Sequence, residues 1–383
     1  MGEIFKLAED WGNLVDQGKI VPFGLGRIGR RVIPTLMKEF DVPFLIDNGK
    51  HEEKLYGLEI LGIEDAVNRL KEESAKIVVT TVRYSYEDIS NELAGLGFEE
   101  YRDYCIFERF AQEWNLRWKT RCVLSKIDTV ITSRCSLRCV NCNMFISHVE
   151  EPCDMSLESL KRNFDIFFES VDYVYEYTLL GGEPFMHRDL KGVISYLGNM
   201  YGGRIGQINL ISNGTIVPDD DVVKILLQHR VTVHISDYTC SVQYDKKLKE
   251  VAERFSQAGV EYYIIPNNTW KDVVYPQDAY TASNPKKHML MCGHSTHSVD
   301  NGRLYWCDPA FAAECFTRFP SKQDDFLDLT ENKRKNLKFE ASANIIRYLL
   351  GDVNENGYMS ICRKCAGVGR DNDRIIQAGL QKK

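Results

Sequence analysis

The stretch Cys135-Ser-Leu-Arg-Cys139-Val-Asn-Cys142 places three thiols at CxxxCxxC spacing. It follows the run Lys126-Ile-Asp-Thr-Val-Ile-Thr, whose apolar and β-branched residues predict a strand. A short loop after a strand can bring three thiolates to one metal centre. Three protein ligands leave one position open, which a reactive site needs and a structural site avoids. We therefore expect a reactive metal centre at this loop.

The composition is ordinary for a globular protein and excludes several classes of partner. The 383 residues suffice for two or three domains, with 44% hydrophobic and 27% charged residues. A net charge of −7 argues against nucleic acid or an anionic membrane as the main partner. The chain shows neither a run of 18 apolar residues nor a signal-peptide pattern, so we expect a cytoplasmic protein. Structural disulfides are uncommon there, and the 12 cysteines therefore indicate metal ligation or catalysis.

The first third of the chain has the pattern of a nucleotide-binding fold. Residues 3–17 predict a short amphipathic helix, and a strand at 19–23 then runs into Gly24-Leu-Gly26-Arg-Ile-Gly29. A second strand at 42–46 ends in Asp47. The glycines would let a phosphate approach a helix N-terminus, and the aspartate could take ribose hydroxyls. We predict a Rossmann-like domain over residues 1–113.

The ligand of this first domain stays open. Pro34 is expected to interrupt the helix that should follow the glycine loop, which makes the motif imperfect. The same glycines can also serve only the close packing of a helix on a strand. Binding of a nucleotide or sugar nucleotide and a docking role without a ligand are therefore both retained.

From Ile127 onward, predicted strands and helices alternate regularly. Strands are expected near 126–132, 173–180, 207–212, 231–236 and 261–265. Repeated βα units wind a parallel sheet with helices outside, and they place ligand loops at the carboxyl ends of the strands. Gly181-Gly-Glu-Pro184 stands at such an end. Its glycines allow close approach of a ligand, and Glu183 offers an acceptor for an ammonium group.

The CxxxCxxC loop, with Gly-Gly-Glu-Pro some forty residues later, resembles the radical S-adenosylmethionine (radical SAM) enzymes. The resemblance implies an α/β fold, with a partial (βα)6 barrel over 122–275. It implies a [4Fe–4S] cluster on Cys135, Cys139 and Cys142, with S-adenosylmethionine at the open iron. The implied cofactor contacts are Gly181, Gly182, Glu183, Pro184, Ser212, Asn213 and Ser236. Asn141 replaces the aromatic residue usual near the adenine, and Phe145 is expected to compensate.

Residues 276–383 carry a second cysteine pattern. Cys292, Gly302 and Cys307 are followed much later by Cys362-Arg-Lys-Cys365. This arrangement resembles the twitch subdomain, the shorter relative of the SPASM extension, and implies one auxiliary [4Fe–4S] cluster. Zinc remains an alternative, since thiolate sets alone do not decide the metal. A zinc knuckle combining Cys139 and Cys142 with the late CxxC pair is also retained.

The resemblance implies cleavage of S-adenosylmethionine to a 5′-deoxyadenosyl radical, which takes a hydrogen atom from the substrate. We expect a small molecule, a sugar or nucleotide-linked sugar, that is oxidised or epimerised, with a flavodoxin- or ferredoxin-type electron donor. Cys153 and Cys240 are the candidate catalytic hydrogen donors. His288, His294 and His297 stand near Cys292. The alternatives are a peptide- or protein-modifying maturase and a non-catalytic zinc or redox sensor.

Overall fold

The computed structural model describes residues 5–16, 18–49, 53–277, 279–292 and 296–382. The chain divides into two compact units, Met1–Ser125 and Lys126–Lys383. Except for residues 122–125, the regions predicted as a barrel and as a twitch-like domain fall within the second unit. Among the described helices, none combines the length and apolar character that crossing a bilayer requires.

The first unit is built on a sheet in the order β3-β4-β2-β1-β5-β6. Its strands are β1 (Ile20–Phe23), β2 (Leu45–Ile46), β3 (Lys54–Leu55), β4 (Leu58–Leu61), β5 (Lys76–Val79) and β6 (Tyr104–Ile106). These strands pair in parallel except for β3 with β4. The chain winds outward from β1 to one side and then returns to the other, as in a Rossmann-like fold.

Short helices complete this unit. They span Arg27–Glu39, Ile63–Glu73, Arg83–Gly95, Phe107–Arg109 and Asn115–Lys119, with a π-helical turn at Phe110–Trp114. The amphipathic helix predicted over 3–17 is only a 3₁₀ helix, Glu9–Asp16, within the described residues. Trp11 is fully buried and its Nε1 donates to the Tyr101 carbonyl over 2.9 Å, whereas Val15 is 37% exposed. This segment is therefore held by the burial of Trp11 and its contact with Tyr101, not by the continuous apolar face of a regular α-helix.

The expected break at Pro34 is wrong. The helix Arg27–Glu39 runs through this residue. A proline lacks the N–H that would bond the carbonyl four residues earlier, here that of Arg30. The Tyr56 hydroxyl donates to that carbonyl over 2.6 Å. An outside donor therefore satisfies the acceptor that proline leaves open.

Contacts within the chain explain both the glycines of this loop and the position of Asp47. A Cβ at Gly29 would lie 1.9 Å from the Gly24 carbonyl oxygen, so this glycine is needed for packing. The Asp47 carboxylate accepts the amides of Leu25 at 2.6 Å and Gly49 at 2.9 Å. Its predicted contact with ribose hydroxyls would have to compete with these two bonds. Nucleotide binding stays a prediction.

The second unit contains an eight-stranded sheet in the order β11-β10-β9-β8-β7-β13-β14-β15. The strands are β7 (Val123–Thr132), β8 (Tyr173–Gly181), β9 (Ile205–Ser212), β10 (Thr232–Asp237), β11 (Tyr262–Pro266), β13 (Ser298–Asp300), β14 (Arg303–Tyr305) and β15 (Phe326–Asp328). A separate antiparallel pair joins β12 (Thr269–Lys271) to β16 (Ile375–Gln377). The order from β7 to β11 follows the chain, as in the expected partial barrel.

Helices alternate with these strands. The α-helices span Leu157–Ser170, Leu190–Tyr201, Asp220–Gln228, Asp245–Ala258, Pro285–Met291, Asp308–Thr317, Leu329–Lys335 and Lys338–Leu349. Short 3₁₀ helices span Ile146–His148, Pro184–Met186, Gly202–Arg204, Gln323–Asp325 and Ser360–Arg363. Ser156 caps the first α-helix by accepting the Ser159 amide. Gly259 ends the fourth with φ = 78°.

Candidate metal centre and its cavity

The predicted cofactor site is a cavity of about 280 Å³ at the ends of three neighbouring strands. Its wall includes Gly181 from the end of β8, Ser212 from the end of β9 and Ser236 from the end of β10. Cys135, Cys139 and Cys142 line the same cavity, with Gly182 and Asn213. The fold therefore brings residues far apart in the sequence to one concave surface.

The two glycines of the turn hold the cysteine loop close to the sheet. The Gly182 amide donates to the Thr132 carbonyl over 2.9 Å, and the Glu183 amide donates to the Arg134 carbonyl over 2.7 Å. A Cβ at Gly182 would lie 2.2 Å from the Arg134 carbonyl oxygen. Any larger residue would displace the backbone that leads into Cys135. The cysteine loop by itself therefore requires glycine at this position.

Glu183 lies differently from the expected cofactor contact. The side chain is fully buried, and its carboxylate accepts the Asn213 amide at 2.7 Å, the Ser212 hydroxyl at 3.1 Å and the Phe185 amide at 3.1 Å. Burial raises the pKa of Glu183 to about 7. The carboxyl therefore ties the end of β8 to the end of β9. Direct contact with an ammonium group stays a prediction.

The remaining turn residue, Pro184, also has a structural environment. It is buried and begins the short helix Pro184–Met186. Its fixed φ suits a first helical position, where no N–H is needed. Its predicted contact with the cofactor is untested by this placement.

The three thiols stand in a partly desolvated environment. Burial raises the pKa of Cys135 to about 12 and that of Cys139 to about 11. The neighbouring thiols contribute to both increases, because thiolates repel one another. Such a set ionises readily only beside a positive centre, which iron supplies. The donor chemistry of the site therefore fits an iron–sulfur cluster.

N–H groups also point at these sulfurs. The Leu137 amide donates to Cys135 Sγ over 3.4 Å, and Asn213 Nδ2 donates to it over 3.6 Å. Gln381 Nε2 donates to Cys139 Sγ over 3.3 Å. Hydrogen bonds to cluster sulfurs are one means by which a protein sets a reduction potential. No sequence signal marks Gln381, which lies 242 positions from its partner.

The three thiols fit a single metal ion less well than they fit a four-iron cluster. Within the described part of the chain, no three Cys, His, Asp or Glu side chains form a group able to hold one metal ion. In a four-iron cluster each thiolate bonds a different iron, so the ligands need not converge on one point. Three thiols that share a cavity wall are compatible with that arrangement.

The second predicted thiol set also comes together. Cys292, Cys307, Cys362 and Cys365 line one small enclosed cavity of about 20 Å³. Burial, and then the other three thiols, raise the pKa of Cys307 well above its ordinary value. Cys139 and Cys142 line the other cavity, so the zinc knuckle that would mix the two CxxC pairs is not formed. Twenty cubic ångströms is roughly the space of one water, so a cluster would require these side chains to move apart.

One glycine and one histidine shape this second site. Gly367 has φ = 69°, and a Cβ there would lie 2.8 Å from His288 Cε1 and 3.0 Å from Cys292 Sγ. His288 Nδ1 lies 3.0 Å from an Asp371 oxygen. His297 instead contacts the Trp306 carbonyl at 2.6 Å, and His294 lies outside the described residues. Of the two described histidines, His288 lies on the wall of this cavity.

Sequence reasoning missed a carboxyl pair in the wall of the first cavity. Asp128 on β7 and Asp308, next to Cys307, both line it. No well-oriented hydrogen bond from the described residues reaches either oxygen of Asp128, although Lys126 Nζ lies 3.4 Å from one. Burial raises the pKa of Asp128; Lys126 opposes this rise and Asp308 reinforces it. A charged residue inside an apolar strand was the available signal.

The aromatic part of the cavity wall also differs from the expectation. Phe145, expected near the adenine, is buried and packs against Tyr275 with ring centroids 5.4 Å apart. Tyr238 and Trp270 line the cavity, and their rings meet edge to face at 5.3 Å. These two aromatic residues, rather than Phe145, offer apolar surface there.

The two predicted hydrogen-atom donors, Cys153 and Cys240, are not among the described residues that line the cavity. Cys153 and Cys240 are both exposed. Cys240 Sγ contacts the Asn267 carbonyl at 3.4 Å, and the Cys153 backbone carbonyl accepts the Ser133 amide at 2.9 Å. Their position gives no support to a catalytic role, which stays a prediction.

Several solved structures resemble this chain at low identity. BtrN in complex with AdoMet and 2-DOIA matches with a TM-score of 0.43 and 15% identity, over 64% of this chain and 93% of that chain. Histidine-tagged anSMEcpe with bound AdoMet matches with a TM-score of 0.30 and 19% identity, over 37% and 43%. Streptococcus suis SuiB bound to S-adenosylmethionine matches with a TM-score of 0.30 and 16% identity, over 53% and 43%.

The last two matches span less than half of the solved chain. No family model matches the sequence, and no curated protein matches it.

Proposed function

We propose that this chain is a radical SAM enzyme that acts on a small, hydroxyl-bearing substrate. The observation that carries the proposal is the meeting of the three CxxxCxxC thiols, the glycine turn and the polar ends of β9 and β10 around one cavity. An isolated CxxxCxxC would be compatible with several metals. Its placement at the carboxyl ends of a βα sheet, beside a cavity of about 280 Å³, suits a reactive site with a bound organic cofactor.

The residues that would hold the cofactors follow from the two cavities. Cys135, Cys139 and Cys142 would hold a [4Fe–4S] cluster with one open iron. Gly181, Gly182, Ser212, Asn213 and Ser236 would contact S-adenosylmethionine. Cys292, Cys307, Cys362 and Cys365 would hold an auxiliary [4Fe–4S] cluster. When bound and reduced by one electron, the first cluster with S-adenosylmethionine supplies a 5′-deoxyadenosyl radical that abstracts hydrogen from the substrate.

The protein's own contribution is to orient the reactants and to exclude water. Apolar wall residues such as Leu137, Met144 and Trp270 leave little surface for water beside the thiols. The glycines bring backbone close to the ligand, and the Glu183 hydrogen bonds fix the two strand ends that flank it. These residues would hold the reactants together and limit their contact with water.

The carboxyl pair favours a substrate that carries hydroxyl groups, such as a sugar or nucleotide-linked sugar. Asp128 presents buried acceptor oxygens without a well-oriented donor to the cavity. A buried polar group of this kind is stabilised by a hydrogen bond from a ligand. Oxidation of an alcohol would give a hydrogen atom to the 5′-deoxyadenosyl radical, one electron to the proposed auxiliary cluster and one proton to a base. Oxidation is therefore the favoured outcome, with epimerisation as the alternative.

The test is anaerobic purification followed by reaction with S-adenosylmethionine and dithionite. We expect about eight irons per chain if both sets hold cubanes, and release of 5′-deoxyadenosine. Deuterium should move from labelled sugars into that product. A flavodoxin- or ferredoxin-type protein should replace dithionite.

Two controls make this test decisive. Replacing the exposed Cys315, which lies outside both thiol sets, by Ala should leave iron content and cofactor cleavage unchanged. An iron-loaded, reduced protein that never cleaves S-adenosylmethionine would overturn the proposal, and a colourless zinc protein would support a sensor instead. Deuterium transfer from peptides but not from sugars would retain the chemistry and replace the substrate class.

A further inference from the structure

Residues 378–382, here called the strap, pair with the cysteine loop along the backbone. The Val140 amide donates to the Leu380 carbonyl over 2.7 Å, and the Lys382 amide donates to the Arg138 carbonyl over 2.7 Å. Cys139 and Gln381 form an antiparallel bridge at the centre of this contact. The loop that carries the middle thiol thus has one edge covered by a short strand-like segment. Its conformation depends on residues distant in the sequence.

The Gln381 side chain is fixed in orientation by three contacts. Its Oε1 accepts the Arg138 amide at 2.7 Å. Its Nε2 donates to the Gly379 carbonyl at 2.6 Å and to Cys139 Sγ at 3.3 Å. A flipped amide would place its NH₂ against the Arg138 N–H, so donor and acceptor are determined by the network. The group aimed at the sulfur is therefore an N–H donor.

The strap reaches this position by way of the cavity wall. It continues β16, which pairs with β12, and the Ala378 amide donates to the Asn268 carbonyl over 3.1 Å. Gly379 then turns with φ = 74°, and a Cβ there would lie 2.8 Å from the Tyr238 Cβ. Tyr238 itself lines the cavity. The turn to the thiol loop thus needs glycine, and the strap is held at both ends.

We propose that Gln381 is a positioning residue that holds Cys139 and raises the reduction potential of the cluster bound there. This inference rests on the proposed function, because it requires a cluster on the three thiols. Reduction adds negative charge to a cluster, and an N–H donor at a ligating sulfur stabilises that added charge. Removing the donor makes the cluster harder to reduce. The strap thereby favours delivery of the electron on which cofactor cleavage depends.

The experiment compares Gln381→Ala and Gln381→Glu with the wild type in the reconstituted full chain. A redox titration follows the electron paramagnetic resonance signal that S-adenosylmethionine perturbs, which reports the cluster on Cys135, Cys139 and Cys142. For Gln381→Ala we expect the ratio of reduced to oxidised cluster at a fixed potential to fall about tenfold, a shift of about 59 mV for a one-electron couple. Gln381→Glu keeps an acceptor for the Arg138 amide but adds negative charge, so its shift should be larger.

Gln377→Ala is the matched control. Gln377 is an exposed glutamine on the adjoining β16, and its Nε2 donates to the Cys240 carbonyl at 3.1 Å rather than to a thiol of the set. Its titration should coincide with that of the wild type. Unchanged potentials in both Gln381 variants would overturn the inference while leaving the enzyme proposal intact. A wild-type protein that binds no cluster would overturn the proposed function first, and the two failures are therefore distinguishable.

Discussion

The two thiol sets of the second unit differ in number, exposure and surroundings. Three cysteines line a cavity of about 280 Å³ in company with glycines and polar strand ends. Four cysteines surround about 20 Å³ and are covered by Met289, Trp306 and Ile361. A ligand can reach the first set, whereas the second set leaves no space for an organic ligand and would have to move apart even to hold a cluster. The difference predicts a reactive centre at the first set and a closed, fully ligated centre at the second.

The first test removes a thiol from Cys135, Cys139 and Cys142, which line the larger cavity and are here called the open set. Cys139→Ala should abolish 5′-deoxyadenosine formation and lower the iron content by about four atoms per chain, since a cubane needs these ligands. Anaerobic assay and iron analysis measure both. Cys315→Ala is the control, because Cys315 is exposed and outside both sets. If Cys139→Ala cleaved S-adenosylmethionine as fast as the wild type, the assignment of the open centre would be wrong.

The other four thiols, here called the closed set, should respond differently to the loss of one member. They are Cys292, Cys307, Cys362 and Cys365. Cys362→Ala should also lower the iron content by about four atoms per chain. Cleavage of S-adenosylmethionine should continue, because the first cavity is untouched, while conversion of substrate stops. The ratio of 5′-deoxyadenosine to product separates these effects. Loss of both activities together with lower solubility would indicate that the closed set is needed only for folding.

A third prediction concerns how closely the open set is held against the sheet. A Cβ at Gly182 would meet the Arg134 carbonyl oxygen at 2.2 Å and Cys135 Cβ at 2.8 Å. Gly182→Ala should reduce the free energy of unfolding by about 1–3 kcal/mol, as overpacking does, and should slow cofactor cleavage by displacing the cysteine loop.

The matched control for this substitution is Gly203→Ala. A Cβ at Gly203 would have no heavy atom within 4 Å, so urea denaturation should find little change. Equal stability of Gly182→Ala and the wild type would show that the loop tolerates movement, and the close approach would then have no functional meaning.

Much of the difference between the two thiol sets is visible in the sequence. Both sets were predicted because their cysteines are separated by short or characteristic spacings. The strand ends at Ser212 and Ser236 followed from the regular alternation of strands and helices. Contacts that depend on tertiary structure were not visible. Gln381 meets Cys139 across 242 positions, and Tyr56 satisfies the carbonyl that Pro34 leaves open.

The expected boundary near residue 276 illustrates the same limit. Strands β13, β14 and β15 extend the sheet that β7 begins, through the parallel bridge of Ser298 with Asp128. Local sequence patterns mark the hairpin but not the sheet that it joins. Cys307 therefore comes two residues after a strand of the sheet that carries the first cavity.

The smallest expected effect lies where the two thiol sets approach each other. Asp308 follows Cys307 of the closed set and lines the open cavity with Asp128. Burial raises the pKa of Asp128, so the folded state favours its protonated form. The associated stability is fully present below the ordinary carboxyl pKa and is lost as the pH rises through the folded-state value. Asp128→Asn cannot ionise and should not show this loss.

The unfolding free energy of Asp128→Asn relative to wild type should therefore increase with pH, as measured by urea denaturation from mildly acidic to mildly alkaline buffer. Asp245→Asn, at an exposed helix start, is the control and should follow the wild type. A difference that stays constant with pH would show that Asp128 ionises as easily in the fold as in the unfolded chain. The carboxyl at this wall would then be solvated, and the open cavity would be less sealed from water than its lining indicates.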